Sequence, residues 1–152
     1  AIVFAEQPLP ENQGYKLFDE VISPVIAPHL IEQMGKKDGE LDLSAFTFLH
    51  PTQDGRDWKL WLASNASHAF TMRKNQHFDT MDLAISAAIQ GFGVAMADIS
   101  LIEEDARMKR LVRPFAESVK TGAAYYLCTP PKPSQLMQYR TFLSWFGATN
   151  AV

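Results

Sequence analysis

The segment that most constrains the fold is residues 78–102, which read FDTMDLAISAAIQGFGVAMADISLI. Asp79 or Thr80 is a typical helix N-cap, and apolar residues then recur at helical spacing until Gly91. The run Val94–Ala97 is apolar without interruption, which is typical of a strand buried on both faces. The segment therefore predicts a capped helix, a glycine turn and a buried strand, which together form half of a βαβ layer.

Short apolar segments alternate with helical patterns along the rest of the chain. This alternation predicts an α/β fold with mostly parallel strand pairing. The further strands are predicted at Ile2–Phe4, Phe46–Leu49, Phe70–Met72 and Ala123–Thr129, and the further helices at His29–Met34, from Asp54 through Leu62, at Leu101–Met108 and at Leu136–Phe146.

One apolar segment is broken by prolines. Residues 16–28 read KLFDEVISPVIAP and mix β-branched residues with Pro24 and Pro28. Proline has no N–H to donate to a strand ladder, so the segment suits an extended connector or an edge strand better than a central one. Pro28 can open the following helix, which Gly35 would end.

Composition excludes several classes of protein. The 152 residues are 47% hydrophobic, which supplies a packed core, and no apolar run reaches the about 20 residues that a membrane span needs. With 14 Lys and Arg against 17 Asp and Glu, the net charge of −3 is unsuited to binding nucleic acid directly. Cys128 is the single cysteine, and the chain opens on AIVFAEQPLPEN, which is unlike a secretory signal. Both observations favour a reducing, cytoplasmic setting.

The predicted helix start at Asp79 and Thr80 is the first candidate site. Its backbone N–H groups could bind a carboxylate or another anion, and in a doubly wound sheet ligands bind beyond the carboxyl ends of strands, where Asp98 would lie. Plain capping is the competing interpretation, and the sequence alone favours it by about two to one.

The same segment carries a family resemblance. The block MDLAISAAIQGFGVAMADISL resembles the A-x-x-G-x-G-I-A-x-x-P-x-x-L signature in the effector-binding domain of LysR-type transcriptional regulators. Three other blocks follow the family's order, namely LFDEVISPVIAPHL, FLHPTQDGRDWKLWLASNA and RLVRPFAESVKTGAAYYLCTPP. The last two are especially similar to the glycine-cleavage-activator branch, and together the blocks cover residues 1 to about 146.

The resemblance implies a type II periplasmic-binding-protein-like fold, with one complete Rossmann-like lobe and part of another. Residues 1–20 would be a remnant of lobe I with the first crossover, 21–120 a complete lobe II, and 121–152 the second crossover and the C-terminal helix of lobe I. The helix-turn-helix and the first part of lobe I have no counterpart here, so we expect the chain to be a fragment. Apolar surface around Ile2–Phe4 and Phe142–Phe146 would then be left uncovered.

The function implied is effector sensing. A small metabolite bound between two lobes would control transcription, and the chain would be non-enzymatic and need no cofactor. The family also implies a homo-oligomer, with contacts expected at residues 54–64 or near 101–108, and contact with DNA only through the absent helix-turn-helix module. The alternative is a solute-binding protein or a stand-alone ligand-binding lobe of the same fold.

Asp98 stands where the family commonly has proline. It could bind a cationic or hydroxyl-bearing effector, or cap the next helix at Ser100, and we favour the cap. No catalytic or metal-binding residue is predicted. The predicted effector-binding residues are Phe4, Ala5, Phe78, Asp79, Thr80, Met81 and Asp98.

Other candidates are weaker. The four histidines show no metal-like spacing with Cys128, and Trp58 and Trp61 are expected in the core. An acid/base group of His77, Asp79 and Asp98 would lack a nucleophile. A basic cluster suits a solvated face or a contact between subunits better than a DNA site. Its members are Arg107, Lys109, Arg110 and Arg113.

Overall fold

The chain forms two compact units. The computed structural model describes residues 1–33, 41–68, 70–130 and 135–150. One unit comprises Ala1–Asp19 with Gly122–Val152, and the other comprises Glu20–Thr121. Their assignment to lobes I and II stays a prediction. None of the helices in the described ranges has the length and hydropathy that crossing a bilayer requires.

The second unit is a mixed sheet with helices on both faces. Its strands lie side by side in the order β2, β5, β3, β4. They span Gly14–Ile26 (β2, which begins in the first unit), Thr47–His50 (β3), Lys74–His77 (β4) and Val94–Asp98 (β5). The helices are Pro28–Gln33 (α1), Arg56–Ser64 (α2), Met81–Ile89 (α3) and Glu103–Arg107 (α4), with 3-10 helices at Leu43–Ala45 and Ile99–Leu101.

Strand pairing is mixed rather than mostly parallel. β3 pairs in parallel with both β4 and β5, but β2 pairs with β5 antiparallel, with Ile22 opposite Asp98 and Ile26 opposite Val94. The α/β class predicted from the alternating pattern is therefore confirmed, and the prediction of mostly parallel pairing is wrong. Alternation of strands and helices indicates crossover connections, but it does not reveal that β2 runs opposite to β3 and β5.

The proline-containing segment lies in the interior of the sheet, so its prediction as a connector or edge strand is wrong. β2 has neighbours on both sides, β6 (Val119–Cys128) and β5. Ile26 exchanges both of its backbone hydrogen bonds with Val112, on the side away from β5. Pro24, two residues earlier, turns its nitrogen to that same side, so its missing donor removes no bond to β5.

The strand predicted at Phe70–Met72 is also misplaced. The strand begins at Lys74, and the sequence of β4 is the polar KNQH. Phe70 and Met72 instead pack against the cluster around Trp61. Apolar periodicity marks buried side chains, whereas an edge strand held by its backbone leaves no such signal.

Two clusters of apolar side chains form the core of this unit, one on each face of the sheet. Val94 and Met96 pack with Trp58 and Trp61 of α2, as expected for the two tryptophans. The alternate residues of β5, both alanines, pack with Ala84 and its neighbours on α3. β5 is thus covered on both faces, which explains its uninterrupted apolar sequence.

The helix boundaries largely follow their capping signals. Thr80 is the N-cap of α3, one of the two N-caps, Asp79 or Thr80, that the sequence predicts. α2 begins at Arg56 after Gly55, whose φ of 66° is left-handed, while Asp54 accepts the Arg56 N–H at 3.2 Å. The predicted end of α1 at Met34 and Gly35 lies outside the described residues.

The first unit pairs β1 (Ile2–Ala5) antiparallel with β6, and its helix is α5 (Leu136–Asn150). Ile2 and Phe4 are largely exposed, as expected, although the Phe4 ring lies 5.2 Å from that of Tyr125. Phe142 and Phe146 are half-buried and stack at 6.1 Å, but Trp145 between them is 61% exposed, so apolar surface is uncovered there as the sequence predicts.

We predict that Gly93→Ala destabilises the chain. A Cβ on Gly93 would lie 2.1 Å from the Thr47 carbonyl oxygen, so β3 and β5 would have to move apart. The expected loss in the free energy of unfolding, measured by urea denaturation, is about 1–3 kcal/mol. Gly147→Ala is the control, since a Cβ there meets nothing within 4 Å and should stabilise α5 by about 0.5–1 kcal/mol. Equal effects of the two substitutions would contradict the packing argument.

Candidate functional site

Three strands of the second unit end at one edge of the sheet. β3, β4 and β5 run in parallel, and their last residues are His50, His77 and Asp98. The helices α2 and α3 begin beside these strand ends. In open α/β sheets ligands bind at this edge, which we call the carboxyl edge.

The start of α3 supplies backbone donors to the carboxyl edge. The Thr80 hydroxyl accepts the Leu83 N–H at 3.4 Å, so the predicted cap is present. Asp79 does not cap the helix, because its carboxylate accepts a hydrogen bond from the Gln53 amide at 3.0 Å. The first amides of a helix have no partner within it, and the helix dipole makes this end favourable for an anion.

Asp98, the last residue of β5, lies at the carboxyl edge beside the start of α3. Its carboxylate accepts the Ser100 N–H at 3.0 Å, so the capping role favoured from the sequence is present, and its backbone N–H donates to the Met81 sulfur at 3.1 Å. The side chain is only 1% exposed. The structure thus brings together three of the predicted site residues, Thr80, Met81 and Asp98.

A stacked histidine pair joins the ends of β3 and β4. The rings of His50 and His77 lie 4.3 Å apart and nearly parallel. Asn75 donates from its amide nitrogen to the Met72 carbonyl oxygen, so its side-chain oxygen is left as an acceptor. This oxygen accepts a hydrogen bond of 2.7 Å from His50 Nε2, which therefore carries the ring proton. His77 Nδ1 donates to the Thr52 carbonyl at 3.0 Å. Both tautomers therefore follow from the hydrogen-bond network.

His50 is held neutral. Burial lowers its pKa below the ordinary value, the charges of His77 and Lys59 lower it further, and the Asn75 hydrogen bond opposes them. Its Nδ1 atom is buried and has no hydrogen-bond partner within the described part of the chain. A Cβ on Gly55 would lie 3.1 Å from this atom, so glycine leaves the ring its space at the start of α2.

Three buried carboxylates lie on the α2 face of the carboxyl edge. Ile22 is opposite Asp98, and Glu20, two residues before it, shares the same face of β2. Asp57 lies in the first turn of α2, beside Arg56. Burial raises the pKa of Glu20, its hydrogen bond from Thr121 opposes this, and the two aspartates raise it further. The face therefore favours a cationic or donor group.

The remaining predicted residues are Phe78, Phe4 and Ala5. The Phe78 side chain packs against the apolar cluster beneath α3. Phe4 and Ala5 belong to the first unit, where they are opposite Tyr125 and Ala124 of β6.

Sequence reasoning missed the histidine pair and Glu20. From the sequence, His50 is weighed only as a metal ligand, and His77 as a metal ligand or as part of an acid/base group. The described residues hold no group of three or more His, Cys, Asp or Glu suited to a metal. A signal was available, because His50 ends β3 just before the turn PTQDG, and His77 ends β4.

Comparison with known proteins identifies the family. The sequence-family model described as LysR substrate binding domain matches residues 1–151. The chain belongs to the LysR substrate binding domain family. The resemblance seen in the sequence is thereby confirmed.

Relatives of this LysR domain are transcriptional regulators, a family that is not enzymatic. The regulator TrpI of Pseudomonas aeruginosa is 30% identical over 143 residues, covering 90% of this chain and 48% of the relative. The regulator DsdC of Escherichia coli is 31% identical, with 95% and 48% covered. The glycine cleavage system transcriptional activator of E. coli is 26% identical over 151 residues, with 99% and 49% covered. The chain spans about half the length of these curated relatives.

Solved structures agree on the fold. The effector domain of AmpR from P. aeruginosa superposes with a TM-score of 0.74 at 25% identity, covering 99% of this chain and 72% of that chain. The AmpR effector-binding domain of Citrobacter freundii gives 0.73 at 20% identity, with 97% and 72% covered. The predicted periplasmic-binding-protein-like architecture is confirmed, and the chain is an effector-binding domain of the LysR type.

We predict that His50 of the LysR domain stays neutral to lower pH than a free histidine. In ¹⁵N-resolved imidazole spectra its proton should sit on Nε2, with a titration midpoint below 6.5. Asn75→Ala should lower the midpoint further, because the Asn75 hydrogen bond raises the pKa. A midpoint above 6.5, or a proton on Nδ1 at neutral pH, would refute the assignment.

A second prediction concerns Glu20. Burial raises the pKa of Glu20 in the folded chain above the unfolded pKa of 4.5, because it disfavours the charged carboxylate. The stabilising contribution of this carboxyl is therefore fully present below pH 4.5 and is lost as the pH rises through the folded pKa. Glu20→Gln keeps an acceptor for Thr121 and removes the titration. Its free energy of unfolding should exceed that of the wild type at pH 7, and the difference should disappear below pH 4.5. A Glu20→Gln variant less stable than the wild type at pH 7 would contradict the argument.

Proposed function

We propose that the full-length protein is a LysR-type transcriptional regulator and that this chain binds its small-molecule effector at the carboxyl edge. The observation that supports the site is the contact between Met81 and Asp98, which places the start of α3 beside the end of β5. A helix N-terminus and a buried carboxylate then stand side by side at the edge where α/β sheets bind ligands.

The charges of the site favour a polar metabolite that carries both an anionic and a donor group. An effector carboxylate would accept hydrogen bonds from the first amides of α3, next to the Thr80 hydroxyl. An ammonium or hydroxyl group would face Asp98 and the neighbouring Glu20 and Asp57. The proposed contacts in the second unit comprise Phe78, Asp79, Thr80, Met81 and Asp98.

Regulation would follow from a population shift. An effector that binds one conformation more tightly than another moves the equilibrium by its difference in affinity. In the full-length protein we propose that this shift changes the geometry of a homo-oligomer and of DNA-binding modules outside this chain, in the cytoplasm. The names of the relatives support this proposal, since they are transcriptional regulators.

Thr80 variants test the site. We expect at least one member of a panel of the common amino acids and small dicarboxylates to raise the melting temperature of the chain saturably. Thr80→Ala should weaken that ligand about tenfold, which is about 1.4 kcal/mol, and should also lower the stability of the free chain by about 1 kcal/mol through loss of the cap. Thr80→Ser, which keeps the hydroxyl, should retain both.

Two results would overturn parts of the proposal. Unchanged affinity in Thr80→Ala, measured by calorimetry with the ligand found, would remove the start of α3 from the site. A full-length gene product without a DNA-binding module would remove the regulatory role while leaving the ligand site standing.

A further inference from the structure

A groove lies along the outer flank of α3, on the opposite side of the sheet from α2. Its volume is about 500 Å³, within the roughly 300–1,000 Å³ range of small-molecule pockets. We call it the α3 groove. Its apolar lining residues are Leu49, Phe78, Leu83, Ala87 and Phe92.

One wall of the groove is fixed by the backbone. Gly91 has a φ of 82°, and its N–H donates to Ala88 O at 3.0 Å, while the Phe92 N–H donates to Ala87 O at 3.1 Å. This pattern is a Schellman motif, in which the residue after the glycine packs back on the helix. Gly93 then passes so close to Thr47 that no side chain fits. The backbone of Phe92 is therefore fixed beside Ala87.

Among the described residues, none with a charged side chain lines the groove. Its polar members are Thr47, Gln76, Ser86 and Gln90, which supply hydroxyl and amide groups. A charged ligand would lose hydration here without gaining an ionic partner, whereas a neutral one can use these groups as donors and acceptors. The lining therefore selects an uncharged molecule with an apolar body.

The apolar rim is unusually open to solvent. Phe92 is 65% exposed and Leu83 is 52% exposed, and both belong to the same groove. A ligand seated between them would remove this apolar surface from water, which is the main driving force for binding at such sites.

We propose that the α3 groove is a second ligand site, which binds an uncharged small molecule with an aromatic or branched aliphatic body and one or two hydrogen-bonding groups. The concave volume and the neutral polar groups along the lining fit such a molecule. The site is distinct from the carboxyl edge. Phe78 connects the two, because its side chain lines the groove and its backbone precedes Asp79 and Thr80 at the start of α3.

The test uses three ligands that share one ring. Benzyl alcohol is uncharged, while benzoate and benzylamine carry opposite charges. In ¹H–¹⁵N spectra of the whole chain, benzyl alcohol should shift the amides of Gln76, Ala87 and Phe92 saturably. The two charged ligands should bind at least tenfold more weakly.

Variants then locate the site. Ala87→Leu fills the groove and should weaken benzyl alcohol at least tenfold, and Phe92→Ala, which removes an exposed wall without touching the core, should also weaken it. Met108→Ala, an exposed residue outside the groove, is the control and should leave binding unchanged. Circular dichroism establishes that each variant is folded.

Three outcomes would overturn the proposal. The first is the absence of saturable shifts in the folded chain, and the second is equal binding of benzyl alcohol by Ala87→Leu and the wild type. The third is a set of groove shifts that depend on protein concentration and accompany a doubled mass, which would mean that a second copy covers the groove. Thr80→Ala should leave the affinity for benzyl alcohol unchanged, so a failure of the effector site and a failure of this site are read separately.

Discussion

The burial of β5 on both faces is the constraint on which the second unit depends. Val94 and Met96 pack under the tryptophans of α2, and the two alanines between and after them let α3 approach the other face. Because β5 also joins antiparallel β2 to parallel β3, it fixes the register of both. The position of Asp98 at the carboxyl edge follows from that register.

The carboxyl edge combines groups of opposite electrostatic character within a small space. The start of α3 presents a positive helix end, whereas the α2 face holds the buried carboxylates of Glu20, Asp57 and Asp98. His50 is neutral because it is buried beside His77. Positive and negative electrostatic potentials thus lie on different sides of the carboxyl edge. A small polar molecule with an anionic and a donor group would bind there in one orientation.

Helix α3 links the core to both proposed ligand sites. Ala84, Ile85 and Ala88 bury one face of the helix, while its first turn reaches the carboxyl edge. Its outer flank and the Schellman motif at its end form the α3 groove. A displacement of α3 would therefore reach both sites, which is the kind of shared rigid element through which two ligands influence one another.

The sequence by itself determined the features that near neighbours encode. Thr80, the apolar spacing of α3 and the apolar run of β5 are local signals, and they predicted these elements correctly. The tertiary structure alone decided that β2 is central, because Pro24 is tolerated only when its nitrogen faces away from β5. It alone placed the polar strand β4, stacked His50 on His77 and brought Glu20 beside Asp98. These results depend on strand register and burial, which are set by residues far apart in the chain.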